Sequence, residues 1–170
     1  VQREQGDRHR EPRTDQLPGE HGEILDPVGG QRAPGGERRL HAETQESIRR
    51  NSPLCVIILD VDHFKKVNDV HGHAAGDVVL RQVASVLKGS VRPYDIVARY
   101  GGEEFVVLLP GTDLPEAAQV AERLRSTVAT STQPVAVTIS LGLARFDPSI
   151  DDEDHVIARA DELLYEAKQN

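Results

Sequence analysis

The sequence predicts an α+β fold in which a mainly antiparallel sheet is flanked by helices. Residues 54–59 form an unbroken apolar run, as in a strand buried on both faces. Residues 96–100 and 105–109 are apolar runs on either side of a Gly-Gly-Glu-Glu segment, a spacing typical of a hairpin. Stretches with helical periodicity separate these strands. A hairpin is antiparallel, and helices that cover a sheet give the α+β class.

The elements follow in the order helix, strand, two helices, hairpin, helix, strand, helix. The first helix ends before Asn51-Ser52-Pro53, because the residue before a proline avoids the helical region. Gly89 closes the third helix, and Thr112 or Asp113 caps the fourth. The last strand tolerates Gly142. The predicted helices are 38–50, 63–70, 74–88, 113–130 and 154–168, and the last strand is 135–146.

The chain divides into two unequal parts. Residues 1–37 are dense in Gly, Pro, Arg, Glu and Gln and have no hydrophobic period, so we expect a poorly ordered or atypical segment. Residues 38–170 are expected to form one domain. The sequence contains no Met, even at position 1, which suggests a fragment of a longer protein.

Composition excludes some classes of function. Lys and Arg number 20 against 28 Asp and Glu, and the net charge of −8 argues against nucleic acid as a partner. The single cysteine, Cys55, lies in an apolar run and is expected to be a buried thiol. Without a disulfide framework or a hydrophobic stretch of about 20 residues, the chain is expected to be soluble and cytoplasmic, although an upstream anchor is compatible with this sequence.

Acidic residues end the first strand and fill the hairpin turn. Asp60 and Asp62 share a face because strand neighbours alternate. If this strand lies beside the hairpin, Asp60 meets Glu103 or Glu104, and such carboxylates suit a hard divalent cation with nucleotide phosphates. The alternative is that Asp60 caps a strand and the glutamates form a polar turn. The spacing leaves both interpretations open.

Two other clusters have simpler interpretations. His71 and His73 lie two residues apart and could suggest zinc, but no Cys or second His pair is nearby in the sequence. The acids at 151–154 precede a helix, where they stabilise its N-terminus.

Three blocks in succession carry a family resemblance. They read DVDHFKKVND at 60–69, GHAAGD at 72–77 and RYGGEEF at 99–105, and further blocks follow at 121–125, 137–142 and 160–168. This series resembles the GGDEF family of diguanylate cyclases from about residue 38 to the end. The resemblance implies a ferredoxin-like, palm-like nucleotidyl-cyclase fold that makes the bacterial second messenger cyclic di-GMP.

The resemblance implies a metal and substrate site. Asp60 and Glu103 would bind Mg²⁺ (or Mn²⁺) and carry catalysis, with help from Glu104 and the Val61 carbonyl. Asn68 and Asp77 would bind guanine, although read alone they are a helix-end residue and a cap. The other residues of the nucleotide site would be Lys65 and Lys168 at the triphosphate, together with Phe64, Gly101 and Gly102.

The resemblance also implies an inhibitory product site. Arg92 and Asp95 have the family's R-x-x-D spacing, and Arg123 matches an arginine that completes this site from a neighbouring domain. Arginine forks grip guanine or phosphate. Without the resemblance, Arg92 and Asp95 form an ordinary surface ion pair.

The implied reaction joins two GTP into cyclic di-GMP with release of two pyrophosphates. Each domain holds one nucleotide, so a homodimer is expected, brought together by an upstream sensor or dimerisation domain. One alternative is an inactive domain that binds cyclic di-GMP or GTP as a signalling module. Another is a relative that joins other nucleotides, against which Asn68 and Asp77 favour guanine.

The sequence departs from the family at both ends. Residues 30–37 stand where the family has an Asp-x-Leu-Thr-Gly-Leu-x-Asn-Arg block, which leaves only a remnant at 26–30. The change resembles an out-of-frame or misassigned start. The chain also stops before the family's closing strand. We therefore expect activity weaker than the motifs alone would give.

Overall fold

A computed structural model describes residues 34–169 of the protein, with side chains from residue 38 onward. The helices are α1 (Pro34–Arg50), α2 (Phe64–His71), α3 (His73–Gly89), α4 (Leu114–Ser131) and α5 (Glu153–Gln169). The strands are β1 (Leu54–Val61), β2 (Ile96–Arg99), β3 (Glu104–Pro110) and β4 (Ile139–Arg145). This is the predicted order of elements.

The four strands form one antiparallel sheet in the order β2-β3-β1-β4. The central strand β1 pairs with β3 on one side and with β4 on the other. Its register places Asp60 opposite Glu104 on β3 and opposite Ser140 on β4. The predicted class, a mainly antiparallel sheet flanked by helices, is confirmed.

Helices cover both faces of β1, and all eight of its residues are buried. Alternate residues of the strand join two hydrophobic clusters, one packed against α2, α3 and α4, the other against α1 and α5. Cys55 belongs to the first cluster, where burial raises the pKa of its thiol to about 11. The prediction of a buried thiol is confirmed.

Two differences between the predicted and observed strand boundaries bear on the candidate site. β1 continues through Val61, so Asp60 lies within the strand rather than after it. β4 begins at Ile139 rather than at residue 135, because Val61 pairs with Ile139 and the chain then turns away from the sheet at His63. The segment before β4 finds other partners, such as the Thr132 hydroxyl for the Val137 N–H group at 3.1 Å.

Helix α1 begins at Pro34, four residues before the predicted helix start. The earlier part of the predicted atypical segment, and all of the remnant at 26–30, lie outside the described residues. The altered block at 30–37 is described only from residue 34. No helix within residues 34–169 combines the length and the apolar content that a bilayer crossing requires.

Helix α5 packs directly on the backbone of β4 at Gly142. A Cβ atom at this position would lie 1.9 Å from the Ala160 carbonyl oxygen and 2.4 Å from the Leu164 nitrogen. Both atoms are backbone atoms of α5, so neither can swing aside. Gly142 therefore sets how closely α5, and the lysine near its end, approach the sheet.

We expect Gly142→Ala to lower the free energy of unfolding by about 3 kcal/mol, because overpacking forces the helix off the strand. Urea denaturation of the purified chain measures the change. Gly89→Ala is the matched control, since nothing lies within 4 Å of a Cβ atom there. Equal midpoints for the two variants would contradict the close packing of α5.

Candidate functional site

The first candidate site lies at the end of β1, where an acid faces a lysine from α5. Asp60 is only 7% exposed, and its Oδ1 atom lies 2.8 Å from Lys168 Nζ. Glu104 is its register partner on β3, so both side chains project on the α5 face of the sheet. The predicted meeting of Asp60 with an acid of the hairpin is confirmed.

Glu103 is the third acid near the end of β1. Its carbonyl oxygen accepts a hydrogen bond from the Val61 N–H group at 3.2 Å, which docks the turn onto β1. Burial raises the pKa of the Glu103 carboxyl, and the negative charges of Asp60 and Glu104 raise it further, while Lys168 opposes the shift. Asp60, which pairs with Lys168, and the two glutamates of the turn thus influence one another's charge at this end of β1.

This donor set suits a divalent cation, although the side chains are not yet arranged as ligands. Within residues 38–169, no three His, Cys, Asp or Glu side chains are grouped closely enough to hold a metal ion. Nor do His71 and His73 belong to such a group. At Asp60 the Lys168 ammonium supplies the positive charge that the clustered carboxylates require. Oxygen donors carrying excess negative charge are what Mg²⁺ prefers.

Asp62 is directed away from this cluster. Its carboxylate accepts hydrogen bonds from the Thr138 hydroxyl at 2.6 Å and the Ser140 hydroxyl at 2.7 Å. Its backbone N–H group donates to the Thr138 carbonyl at 2.9 Å. Asp62 therefore joins the end of β1 to β4, and both of its carboxylate oxygens are engaged.

Arg99 holds the glycine turn of the hairpin. Its Nε atom donates to the carbonyl oxygens of Gly101 at 3.1 Å and Gly102 at 3.2 Å, and its guanidinium also reaches Gly102 through a second nitrogen. The N–H groups of Tyr100 and Gly101 converge on the Glu104 carbonyl. The sequence analysis assigned Arg99 no role; an arginine immediately before a Gly-Gly turn was the only signal.

The predicted guanine residues lie where α2 meets α3. Asn68 Oδ1 is buried and accepts no hydrogen bond from any described residue. A Cβ atom at Gly76 would lie 2.0 Å from that oxygen and 3.0 Å from the Phe64 ring, so a larger residue would displace the Asn68 side chain. Asp77 follows Gly76 directly and is exposed, as is Lys65. A buried acceptor without a donor is the feature that a ligand's N–H group would satisfy.

A second candidate site surrounds the turn between α3 and β2. The Arg92 N–H group donates to Asp95 Oδ2 at 2.8 Å, while Asp95 Oδ1 is buried without a partner among the described residues. Burial raises the pKa of the Asp95 carboxyl, against the lowering effect of Arg92. The Arg92 guanidinium pairs with Glu116 on α4 and lies 5.8 Å from the centre of the Tyr94 ring.

Arg123 borders this second site without contacting Asp95 through a hydrogen bond. Its Nε and Nη2 atoms donate to the Ser90 carbonyl at 3.1 and 3.0 Å. A cavity of about 140 Å³ beside the turn is lined by Lys88, Arg92 and Asp95. The structure thus brings Arg92 and Asp95 together, as the sequence predicts. It also shows that the Arg92 guanidinium already forms an ion pair with Glu116.

Comparisons with known proteins identify the family of this chain. The family described as "Diguanylate cyclase, GGDEF domain" matches residues 36–170. Diguanylate cyclase A of Treponema denticola is 41% identical over 126 residues, which are 71% of this chain and 34% of that protein. The chain therefore spans about a third of this relative's length.

Two solved structures share the fold. Diguanylate cyclase SiaD of Pseudomonas aeruginosa, solved with its activator SiaC, superposes with a TM-score of 0.79 at 36% identity, covering 88% of this chain and 59% of that one. The GGDEF domain of DgcB from Caulobacter crescentus, solved with c-di-GMP, gives 0.77 at 31% identity, covering 86% and 90%. Because the family model matches most of the chain and these structures share its fold, this chain belongs to the GGDEF domain family.

Proposed function

We propose that this chain is a diguanylate cyclase domain that condenses two GTP into cyclic di-GMP and two pyrophosphates. The observation that carries the proposal is that Asp60 lies opposite Glu104 at the end of β1 and that both acids raise the pKa of Glu103, next to the glycine turn. Membership of the GGDEF family, and relatives that are named diguanylate cyclases, support the same reaction.

In the proposed site, Asp60, Glu103, Glu104 and the Val61 carbonyl hold Mg²⁺ or Mn²⁺. A divalent cation bound there supplies charge neutralisation for the phosphates and favours ionisation of the attacking hydroxyl. The mutual repulsion that raises the pKa of Glu103 supports this assignment, because a cation would relieve it. Lys168 leaves Asp60 and, with Lys65, meets the triphosphate.

Asn68 and Asp77 are proposed to select guanine. The buried Asn68 Oδ1 lacks a donor, and a bound purine would satisfy it. The Asp77 carboxylate accepts from N1–H and N2–H on the Watson–Crick edge. Gly76 leaves room for this approach, and Phe64 forms the apolar floor below it.

The reaction is the attack of a ribose 3′-hydroxyl on the α-phosphate of the facing GTP. A new P–O3′ bond forms, the bond to the β-phosphate bridging oxygen breaks, and pyrophosphate leaves. Glu103 is the proposed acceptor of the hydroxyl proton, as a carboxylate at the proposed reacting centre. The glycine turn at Gly101 and Gly102, held by Arg99, lets the phosphates approach the backbone.

Two copies must face each other, because each holds one nucleotide. We propose a homodimer, assembled through an upstream sensor or dimerisation segment. Product inhibition is assigned to Arg92 and Asp95, with Arg123 contributed to a neighbouring copy. The buried, unpartnered Asp95 Oδ1 supports a ligand here, since guanine N–H donors would complete it.

The same unpartnered oxygen favours a second candidate function. A domain that binds cyclic di-GMP at this turn without making it would act as a signalling module. The Lys168–Asp60 ion pair is compatible with such a module, because it neutralises the acid without a metal. A wild-type chain that makes no product but binds cyclic di-GMP would select this alternative.

We expect Asp60→Asn and Glu103→Gln each to reduce cyclic di-GMP formation by at least about 100-fold, since each removes a preorganised charge from the reacting centre. The assay follows product from GTP and Mg²⁺ by chromatography. Glu122→Gln, an exposed acid paired with Arg125 on α4, is the control and keeps wild-type activity. Undiminished product in both site variants would remove the metal assignment.

We expect the wild type to prefer GTP over ITP by roughly 10-fold or more, because inosine lacks the N2–H group and leaves an oxygen of Asp77 unpaired. Asp77→Ala should bring this ratio of kcat/KM values close to one. The exposed acid Asp69 on α2 offers the control: Asp69→Asn should keep the preference. A ratio unaffected by Asp77→Ala would show that another residue reads the base.

We expect Glu116→Gln to tighten cyclic di-GMP binding by about 2- to 5-fold, because it releases Arg92 from an exposed ion pair. Arg92→Ala should abolish this binding and relieve inhibition of turnover. Calorimetry measures cyclic di-GMP binding by both variants. Glu122→Gln, which changes another acid of the same helix, is the matched control. Weaker binding in Glu116→Gln would mean that Glu116 orients the arginine instead of competing for it.

A further inference from the structure

The chain leaves β1 through the peptide group that links Val61 to Asp62. The Asp62 N–H group donates to the Thr138 carbonyl at 2.9 Å, on the side of β4. The C=O and N–H groups of a planar trans peptide point in opposite directions. The Val61 carbonyl therefore points away from β4, toward the side of the sheet that carries β3 and the hairpin glutamates.

The Val61 N–H group indicates the same direction independently. It donates to the Glu103 carbonyl at 3.2 Å, so the hairpin turn lies on this side of the last residue of β1. In an antiparallel pair, the N–H and C=O groups of one residue face the same neighbouring strand. The Val61 carbonyl thus faces the hairpin, whose glutamates would share a cation with it in the proposed metal site.

The Asp62 side chain holds this peptide group in place. Its carboxylate accepts hydrogen bonds from the Thr138 hydroxyl at 2.6 Å and the Ser140 hydroxyl at 2.7 Å. Hydrogen bonds to an ionised group are stronger than those between neutral groups. Rotation of the peptide group would break the backbone bond to Thr138 and strain both hydroxyl bonds, so Asp62 fixes the direction of the Val61 carbonyl.

Ser140 also lies beside a second acid. It is opposite Asp60 in the register of β1 with β4, so the two side chains project on the same face of the sheet. A serine hydroxyl has one proton to donate, and this proton goes to Asp62. Asp62 thereby keeps the Ser140 donor from Asp60, whose carboxylate pairs with the Lys168 ammonium instead.

We propose that Asp62 is a positioning residue for the metal site, because it fixes the peptide group that aims the Val61 carbonyl at the hairpin. It also keeps the Ser140 hydroxyl from Asp60. Asp62 is not itself a ligand, since both of its carboxylate oxygens are engaged with hydroxyl groups. Loss of a residue that orients metal ligands typically costs roughly 10- to 100-fold in metal affinity. The inference rests on the proposed function, which supplies the ligands.

The first test needs neither metal nor nucleotide. The double variant Thr138→Val/Ser140→Ala removes both hydroxyl donors but keeps every backbone group and the Asp62 carboxylate. Hydrogen exchange of the full 170-residue chain, followed by NMR, should show the Asp62 amide exchanging at least about 10-fold faster than in the wild type. An unchanged rate would mean that the hydroxyl groups do not hold the peptide group, and it would overturn the proposal whatever reaction the chain catalyses.

The second test measures Mn²⁺ affinity by electron paramagnetic resonance in the presence of a non-hydrolysable GTP analogue. Asp62→Ala should weaken Mn²⁺ binding by roughly 10-fold. Asp62→Asn should weaken it by only about 2- to 3-fold, because the amide can still bond to both hydroxyl groups. Asp147→Ala is the matched control and should bind as the wild type does. The Asp147 carboxylate also accepts from a hydroxyl and an N–H group, both of Ser149, but it follows the other end of β4.

The outcomes separate this inference from the proposed reaction. Unchanged Mn²⁺ affinity in Asp62→Ala would overturn the positioning role and leave the cyclase standing. Equal weakening by alanine and asparagine would do the same, because it would show an effect of charge alone. The expected affinities in a chain that makes no cyclic di-GMP would support the positioning role and reject the cyclase. A wild type that binds no Mn²⁺ would overturn both. Urea denaturation checks that each variant is folded, and the asparagine and hydroxyl variants decide the matter if Asp62→Ala does not fold.

Discussion

The pairing of β1 on both of its edges is the constraint on which the rest of the structure depends. Because β1 is central, hydrogen bonds to β3 and β4 determine its register, and apolar packing on both faces prevents a slip by one residue. That register places Asp60 opposite Glu104, and it lets the Glu103 carbonyl in the turn accept a hydrogen bond from the Val61 N–H group. The position of the acids is thus a consequence of the core, not of local turn geometry.

The price of this arrangement is electrostatic repulsion between carboxylates that the fold brings together. Burial and neighbouring negative charge both raise the pKa of Glu103, so the ionised cluster opposes folding to some extent. Lys168 compensates in part, and it can do so only because Gly142 lets α5 lie directly on β4. Sites that store unfavourable charge in this way are where function conflicts with stability.

Short stretches of the sequence were enough to predict the apolar run of β1, the hairpin and the helices. They also predicted that Asp60 meets an acid across the sheet. They did not predict contacts that depend on distant residues. Asp62 binds Ser140, which is 78 positions away, and Lys168 reaches Asp60 only through the packing of α5. The predicted start of β4 at residue 135 is too early, because residues 135–138 keep the alternating pattern although β1 has no residue left to pair with them. Arg99 was overlooked because its role depends on where two carbonyl groups point.

The ion pair between the last helix and the central strand also bears on how ligands would enter. A metal ion that binds without nucleotide would compete with the Lys168 ammonium for the Asp60 carboxylate. Its apparent affinity would be lower because it binds only those molecules in which this ion pair is open. In the proposed nucleotide site, a triphosphate would draw the ammonium toward itself and leave the carboxylate open. Metal and nucleotide would then favour each other's binding by an equal free energy, as linkage requires. In the absence of nucleotide, the domain would sequester little magnesium from its surroundings.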